Sequence, residues 1–113
     1  MTVRTTPFDQ APAYAAPRHA GVHAVRLQGL EAGPTENFWT AISFYLPGGT
    51  AEWSPTAGET VYVVLDGELT VVTDDGEHVL APYDSIHLTE GTMRAVVNRT
   101  PRPATLLVTI ATK

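Results

Sequence analysis

Residues 48–67 read GGTAEWSPTAGETVYVVLDG, and the fold turns on how this stretch is interpreted. A glycine pair opens it directly after Pro47, and a single glycine closes it at Gly67. In between, TVYVVLD (60–66) is β-branched and aromatic, the composition of a strand with one face packed. Hydroxyl side chains stand at Ser54, Thr56 and Thr60.

The signals on either side are also strand and turn. Upstream, VHAVRLQ (22–28) alternates and is followed by Gly29 and the Gly33-Pro34 pair. FWTAISFYL (38–46) is aromatic and β-branched, and Pro47-Gly48-Gly49 reads as its end. Downstream, ELTVVT (68–73) runs into Asp74-Asp75-Gly76, a hairpin turn, because Asp-Gly tolerates the positive φ that short hairpins need. EHVLA (77–81) returns, the Pro82-Tyr83-Asp84 corner follows, and SIHLT (85–89), MRAVVN (93–98) and ATLLVTIA (104–111) complete the pattern. No segment shows caps and a 3.6-residue period over ten residues. Many short strands between frequent turns predict an all-β sandwich or barrel over residues 21–113. Residues 1–20 are rich in alanine and proline and without period, and are expected to form an extended arm that packs Phe8 and Tyr14 on the domain or on a partner subunit.

Composition narrows the function classes. A chain of 113 residues makes one modest core. Hydrophobic residues at 43% and charged residues at 17% suit a folded protein. The net charge of −5, with seven scattered basic residues, argues against a nucleic-acid surface. The absence of cysteine excludes disulfides and thiolate chemistry. No apolar run is long enough to span a bilayer, and prolines at 7, 12 and 17 break up any signal-peptide core, so the expected location is cytoplasmic.

The layout of residues 48–67 resembles the first motif of the cupin superfamily, G-x5-H-x-H-x3-E-x6-G, with Gly48 and Gly67 on its two glycines. The second motif, G-x5-P-x-G-x2-H-x3-N, falls on Tyr83, Thr89, Gly91, Arg94 and Asn98; of these Gly91 and Asn98 match. The resemblance implies a small cupin-like β-barrel (jelly roll) of two packed antiparallel sheets, commonly a homodimer. It also implies a metal site, and there the chain departs from the family. The four ligand positions are Ser54, Thr56, Thr60 and Arg94. Neutral hydroxyls are weak ligands for transition metals, and a guanidinium has no lone pair to give. The expectation is therefore no metal and no cofactor.

On this alignment Arg94 places a fixed cation where the family metal would sit, able to hold a carboxylate or a developing oxyanion; the plain alternative is an arginine reaching to solvent. His87 alternates with Ile86 and Leu88, so it faces either the cavity, as a general acid or base, or water. Glu52 shares strand parity with Ser54 and Thr56 and would point inward as a proton acceptor, unless it is a surface carboxylate. Glu59 is expected to face the other way. Tyr62 lies on the face of Thr60 and Val64 and would offer its hydroxyl to the cavity. Trp39, Ser43 and Tyr45 share one face and are the better pocket candidates among the strand aromatics and their neighbours.

The leading expectation is a cofactor-independent enzyme on a small anionic or carbonyl-containing organic molecule, with lyase, dehydratase, isomerase or cyclase chemistry. Its catalytic set would be His87, Arg94, Glu52 and Tyr62, and its pocket Ser54, Thr56, Thr60, Trp39 and Tyr45. Two alternatives stand beside it: a non-catalytic small-molecule-binding cupin, and a metalloenzyme whose site is rebuilt from His87, His19 or His23 with a glutamate. Neither nucleic acid nor membrane is expected as a partner.

Overall fold

The structure, a computed structural model, describes residues 3–113. Apart from two 3-10 turns at Phe8–Gln10 and Leu30–Ala32, every regular element in it is a strand. The strands are β1 (Ala13–Tyr14), β2 (His19–Gln28), β3 (Phe38–Pro55), β4 (Thr60–Asp66), β5 (Leu69–Thr73), β6 (Gly76–Leu80), β7 (Ser85–Leu88), β8 (Met93–Val97) and β9 (Ala104–Ala111). All pairings are antiparallel, in the order β6-β5-β8-β3-β9-β4-β7, with β2 on β3 and β1 on β2. The result is a nearly closed barrel of jelly-roll type, the architecture expected from the sequence.

One boundary differs from the sequence reading. Pro47-Gly48-Gly49 does not end a strand; β3 continues through it for 18 residues. Its first half pairs with β9, from Phe38 opposite Ala111 to Tyr45 opposite Ala104. Its second half pairs with β8. The three residues are a corner at which one strand changes its partner from β9 to β8. A side chain at Gly49 would bring its Cβ within 2.5 Å of the Gly21 carbonyl oxygen, so β2 and β3 turn the corner in a contact that only glycine permits.

The strand residues sort as alternation requires. In β4, Thr60, Tyr62 and Val64 are buried while Val61 is exposed. The core gathers Tyr45, Val64, Leu69, Val71, Val96 and Leu106, and full burial of each valine or leucine contributes about 1.5–3 kcal/mol. Gly67, the closing glycine of the opening motif, has φ 75° and lies where a Cβ would come within 2.6 Å of the Pro103 carbonyl oxygen. Asn98, the residue matching the second motif, is fully buried. Its Nδ2 donates to the carbonyls of Tyr45 (3.1 Å) and Arg102 (2.7 Å), and its Oδ1 accepts from the backbone and hydroxyl of Thr100. Every polar atom of that buried amide is thereby satisfied.

The arm is partly woven into the barrel. β1 pairs with β2 through Ala13–Val25 and Tyr14–Ala24, and His19 and Ala20 at the start of β2 pair with Ala51 and Thr50. Phe8 meets Phe44 edge-on and Tyr14 meets Trp39. No helix among the described residues is long and apolar enough to cross a membrane.

Candidate functional site

On the inner side of the barrel is a cavity of about 440 Å³, walled by β1, β2, both halves of β3, β4, β8, β9 and arm residues 16–18. That volume suits one small organic molecule. Trp39, Tyr45, Leu106 and Val108 supply apolar surface; Ser43, Ser54, Thr56, Tyr62, His19 and Arg94 supply polar groups.

Arg94 is set by its register. It lies opposite Ser54 in the β3–β8 pair, on the inward face it shares with buried Val96. Nε donates to the Tyr62 hydroxyl oxygen at 2.9 Å, and Nη1 donates to Ser54 Oγ at 3.0 Å and to the Glu52 carbonyl at 3.1 Å. All three acceptors are neutral, so the side chain is fixed while its charge stays uncompensated. Because the Tyr62 oxygen accepts from Arg94, the phenol's own proton is free to be donated into the cavity.

His19 enters from the start of β2. Its Nδ1 is 2.7 Å from the Pro17 carbonyl; a carbonyl can only accept, so Nδ1 carries the hydrogen and the neutral ring keeps its lone pair on Nε2. Burial holds the imidazole below its ordinary range, and the charge of Arg94 works in the same direction against the Pro17 bond. The half-buried ring is thus held as a neutral base. Burial also raises the phenols of Tyr45 and Tyr14, with arginine charge opposing the rise at both, so both remain protonated donors.

Arg26 lies between two rings, with its guanidinium carbon 3.5 Å from the Tyr14 centroid and 4.2 Å from that of Trp39. Its Nε donates to Glu31 at 2.7 Å, and that ion pair holds the Glu31 carboxyl below its usual range.

Of the residues singled out from sequence, Arg94, Tyr62, Ser54, Thr56, Trp39 and Tyr45 line the cavity together. Three do not. His87 pairs with Val61 across β7–β4; directly opposed residues share a face, and Val61 is outside, so His87 faces water and meets Glu59 at 2.6 Å. Glu52 is turned out by a β-bulge. The register steps from Ala51–Val96 to Ser54–Arg94, which inserts one residue and breaks the parity linking Glu52 to Ser54; only the Glu52 carbonyl reaches Arg94. Thr60 is fully buried, with its hydroxyl spent on the Gly58 carbonyl at 2.8 Å.

Sequence reasoning missed Arg18, Arg26 and Tyr14 as lining residues, and weighed His19 only as a ligand of a rebuilt metal site. For Arg26 a signal existed: Val22, Ala24 and Arg26 alternate on one face of β2 and lie opposite Tyr45, Ser43 and Ala41. The other face, with Val25 and Leu27, is just as apolar, and alternation alone does not say which turns inward.

The donor set does not fit the metal that cupin barrels commonly hold. Ser54 accepts from Arg94 and donates to the Glu52 carbonyl, and the hydroxyls of Thr56 and Thr60 donate to the Thr89 and Gly58 carbonyls. No group of three or more His, Asp or Glu is placed to hold a metal among the described residues, so the rebuilt site considered above does not form.

Comparison with known proteins agrees with this architecture. The chain is 57% identical over 109 residues to the beta-D-galactosidase Rv1717 of Mycobacterium tuberculosis, covering 96% of this chain and 94% of that one. Among solved structures, the polyketide cyclase RemF of Streptomyces resistomycificus superposes with a TM-score of 0.84 at 16% identity, over 99% of this chain and 81% of the other. A sugar phosphate isomerase of the cupin superfamily from Silicibacter pomeroyi superposes at 0.80 and 24% identity, over 97% and 76%. At these identities the two structures share the fold alone. The sequence profile of the cupin domain matches residues 42–110. A barrel of this topology, bracketed by the glycine-spaced motifs and matched over most of its strands, makes the chain a member of the cupin family.

Proposed function

We propose that the chain is an enzyme that cleaves a small β-D-galactoside within the barrel cavity, using its own side chains in place of a metal. The observation that carries this reading is that a proton donor, a neutral base and a fixed cation line one cavity, as Tyr62, His19 and Arg94. The substrate class is taken from the beta-D-galactosidase relative, whose identity extends over nearly the whole of both chains.

Most glycosidases place two carboxyl groups on either side of the scissile bond. No carboxylate side chain lines this cavity among the described residues, so the same duties fall to other groups. Nε2 of His19 takes a proton from the water that attacks the anomeric carbon. The Tyr62 hydroxyl gives its proton to the leaving oxygen. Arg94 Nε already donates to that phenol oxygen, so charge developing there as the proton leaves meets a cation fixed in advance. Ser43, Ser54 and Thr56 offer hydroxyls to the sugar, and Trp39 offers apolar wall.

Release of nitrophenol from 4-nitrophenyl β-D-galactopyranoside, beside the α-galactoside and the β-glucoside, tests the reading. Turnover of the β-galactoside that is lost in His19→Ala supports it. No turnover of any of the three sinks it.

A second reading is favoured by the positive charge of the cavity, which suits an anionic intermediate better than a cationic one. The same three groups would then move a proton on a carbonyl compound, as a lyase, isomerase or cyclase does, with Arg94 holding the enolate oxygen. Deuterium incorporation from heavy water next to a sugar carbonyl, without release of a glycosyl leaving group, would separate this from hydrolysis.

A further inference from the structure

The cavity holds more positive charge than either reaction uses. Arg18, Arg26 and Arg94 all line it, three of the seven basic residues in the chain, and none of the twelve acidic residues does. Arg26 is neutralised by Glu31. Neither Arg18 nor Arg94 is ion-paired with any described residue. Arg94 spends Nε and Nη1 on neutral acceptors and leaves Nη2 without a partner among the described residues. The Arg18 side chain makes no hydrogen bond within that set.

The contacts of Arg94 hold its side chain in place without compensating its charge. Arg94 is half-buried inside the cavity, and Arg18 lines it from an exposed position on the arm, so an anion entering would meet one cation at the mouth and one within. Arg18 also sits at φ 60°, a left-handed conformation that a side chain adopts only at a cost. It is held there because its carbonyl accepts the Glu52 backbone N–H at 2.9 Å, which ties the arm to β3 beside the cavity. A strained residue presenting an unpaired cation to a cavity already holding another is arranged for an anion.

We propose that the sugar bound in this cavity carries an oxyanion, a carboxylate or a phosphate, received by the guanidinium groups of Arg18 and Arg94. The proposal rests on the reading that the cavity is the substrate site, and not on which bond is broken there. An acidic sugar also accounts for the absence of carboxylates from the lining, since each would repel it.

The test is equilibrium titration of the whole chain with three probes, D-galactose, D-galacturonate and D-galactose 6-phosphate, at low and raised salt. At least one acid should bind about tenfold or more tightly than galactose, the effect of one charge-assisted hydrogen bond, and the preference should shrink as salt is added. It should be lost in Arg18→Gln, and equally in Arg18→Gly, which removes the charge while relieving the backbone. A preference for galacturonate alone identifies a carboxylate, and one for the phosphate alone identifies a phosphate. Equal binding of all three probes, no binding by any, or an acid preference that survives in both variants overturns the proposal. Tight binding of an acid without turnover of any glycoside removes the hydrolytic reading and leaves this one standing; turnover of neutral galactosides with no acid preference does the reverse.

Discussion

His87 and His19 show how differently two faces of one barrel use the same side chain. His87 stands on the outer face of β7, its side chain 54% exposed, against a Glu59 that is 64% exposed. Water competes for both partners, so the pair contributes about 0–1 kcal/mol. His19 lines the cavity, with one nitrogen fixed by the Pro17 carbonyl and its neutral form favoured by burial and by Arg94. An imidazole becomes a useful base through such surroundings, and only the second histidine has them.

The contrast can be broken by substitution. His19→Ala should lower kcat/KM for the galactoside by about 10²–10⁴-fold, the range of a lost general base; a change below threefold would place the base elsewhere. Arg94→Gln should cost about 10²–10³-fold, as the loss of a preorganised charge does, and the loss should fall on kcat more than on KM. A smaller effect sharpens the comparison further. In the intact enzyme the acid limb of the kcat/KM profile should lie below the ordinary imidazole value of about 6.5, because the depressed pKa keeps His19 unprotonated until the pH falls through it. Arg94→Gln removes one of the two causes of that depression, so the limb should move to higher pH, though not fully, since burial remains the first cause. A limb that stays put would mean that another group is titrating. The smallest effects belong to the outer face: His87→Ala and Glu52→Gln should leave kcat/KM within about twofold and the melting temperature nearly unchanged, as surface substitutions usually do. A large loss in either would show that the outer face takes part after all.

The same contrast explains which parts of the structure were legible in the sequence. Strand identity from β4 through β9 followed from β-branched composition and Gly, Pro and Asp punctuation, because those preferences act locally. Tyr62 could be placed because parity within an uninterrupted strand carries across its whole length, and Arg94 because the resemblance to the second motif fixes its direction. Glu52 could not, since the bulge between Ala51 and Ser54 resets the parity; a bulge arises from how two distant strands meet. His87 was ambiguous for a simpler reason: alternation separates two faces without naming the inner one. The arginines at 18 and 26 reach the cavity through the pairing of β2 with β3; alternation puts Arg26 on one face with Val22 and Ala24 but does not say that this face turns inward, and nothing local announces Arg18.

The passage of β3 through the Pro47–Gly49 corner also bears on how the protein comes into being. The strand's first half is flanked on one side by β9, so Phe38 waits for Ala111, which follows only after all of the strands β4–β8. Contacts this distant in sequence must close a long loop before they return any energy. Without β9, both β3 and β4 would be left with an unpaired edge. A nascent chain holds an unfinished sheet until β9 leaves the ribosome, and the cavity, walled by β1, β2 and β9 among others, takes shape only once that strand has docked.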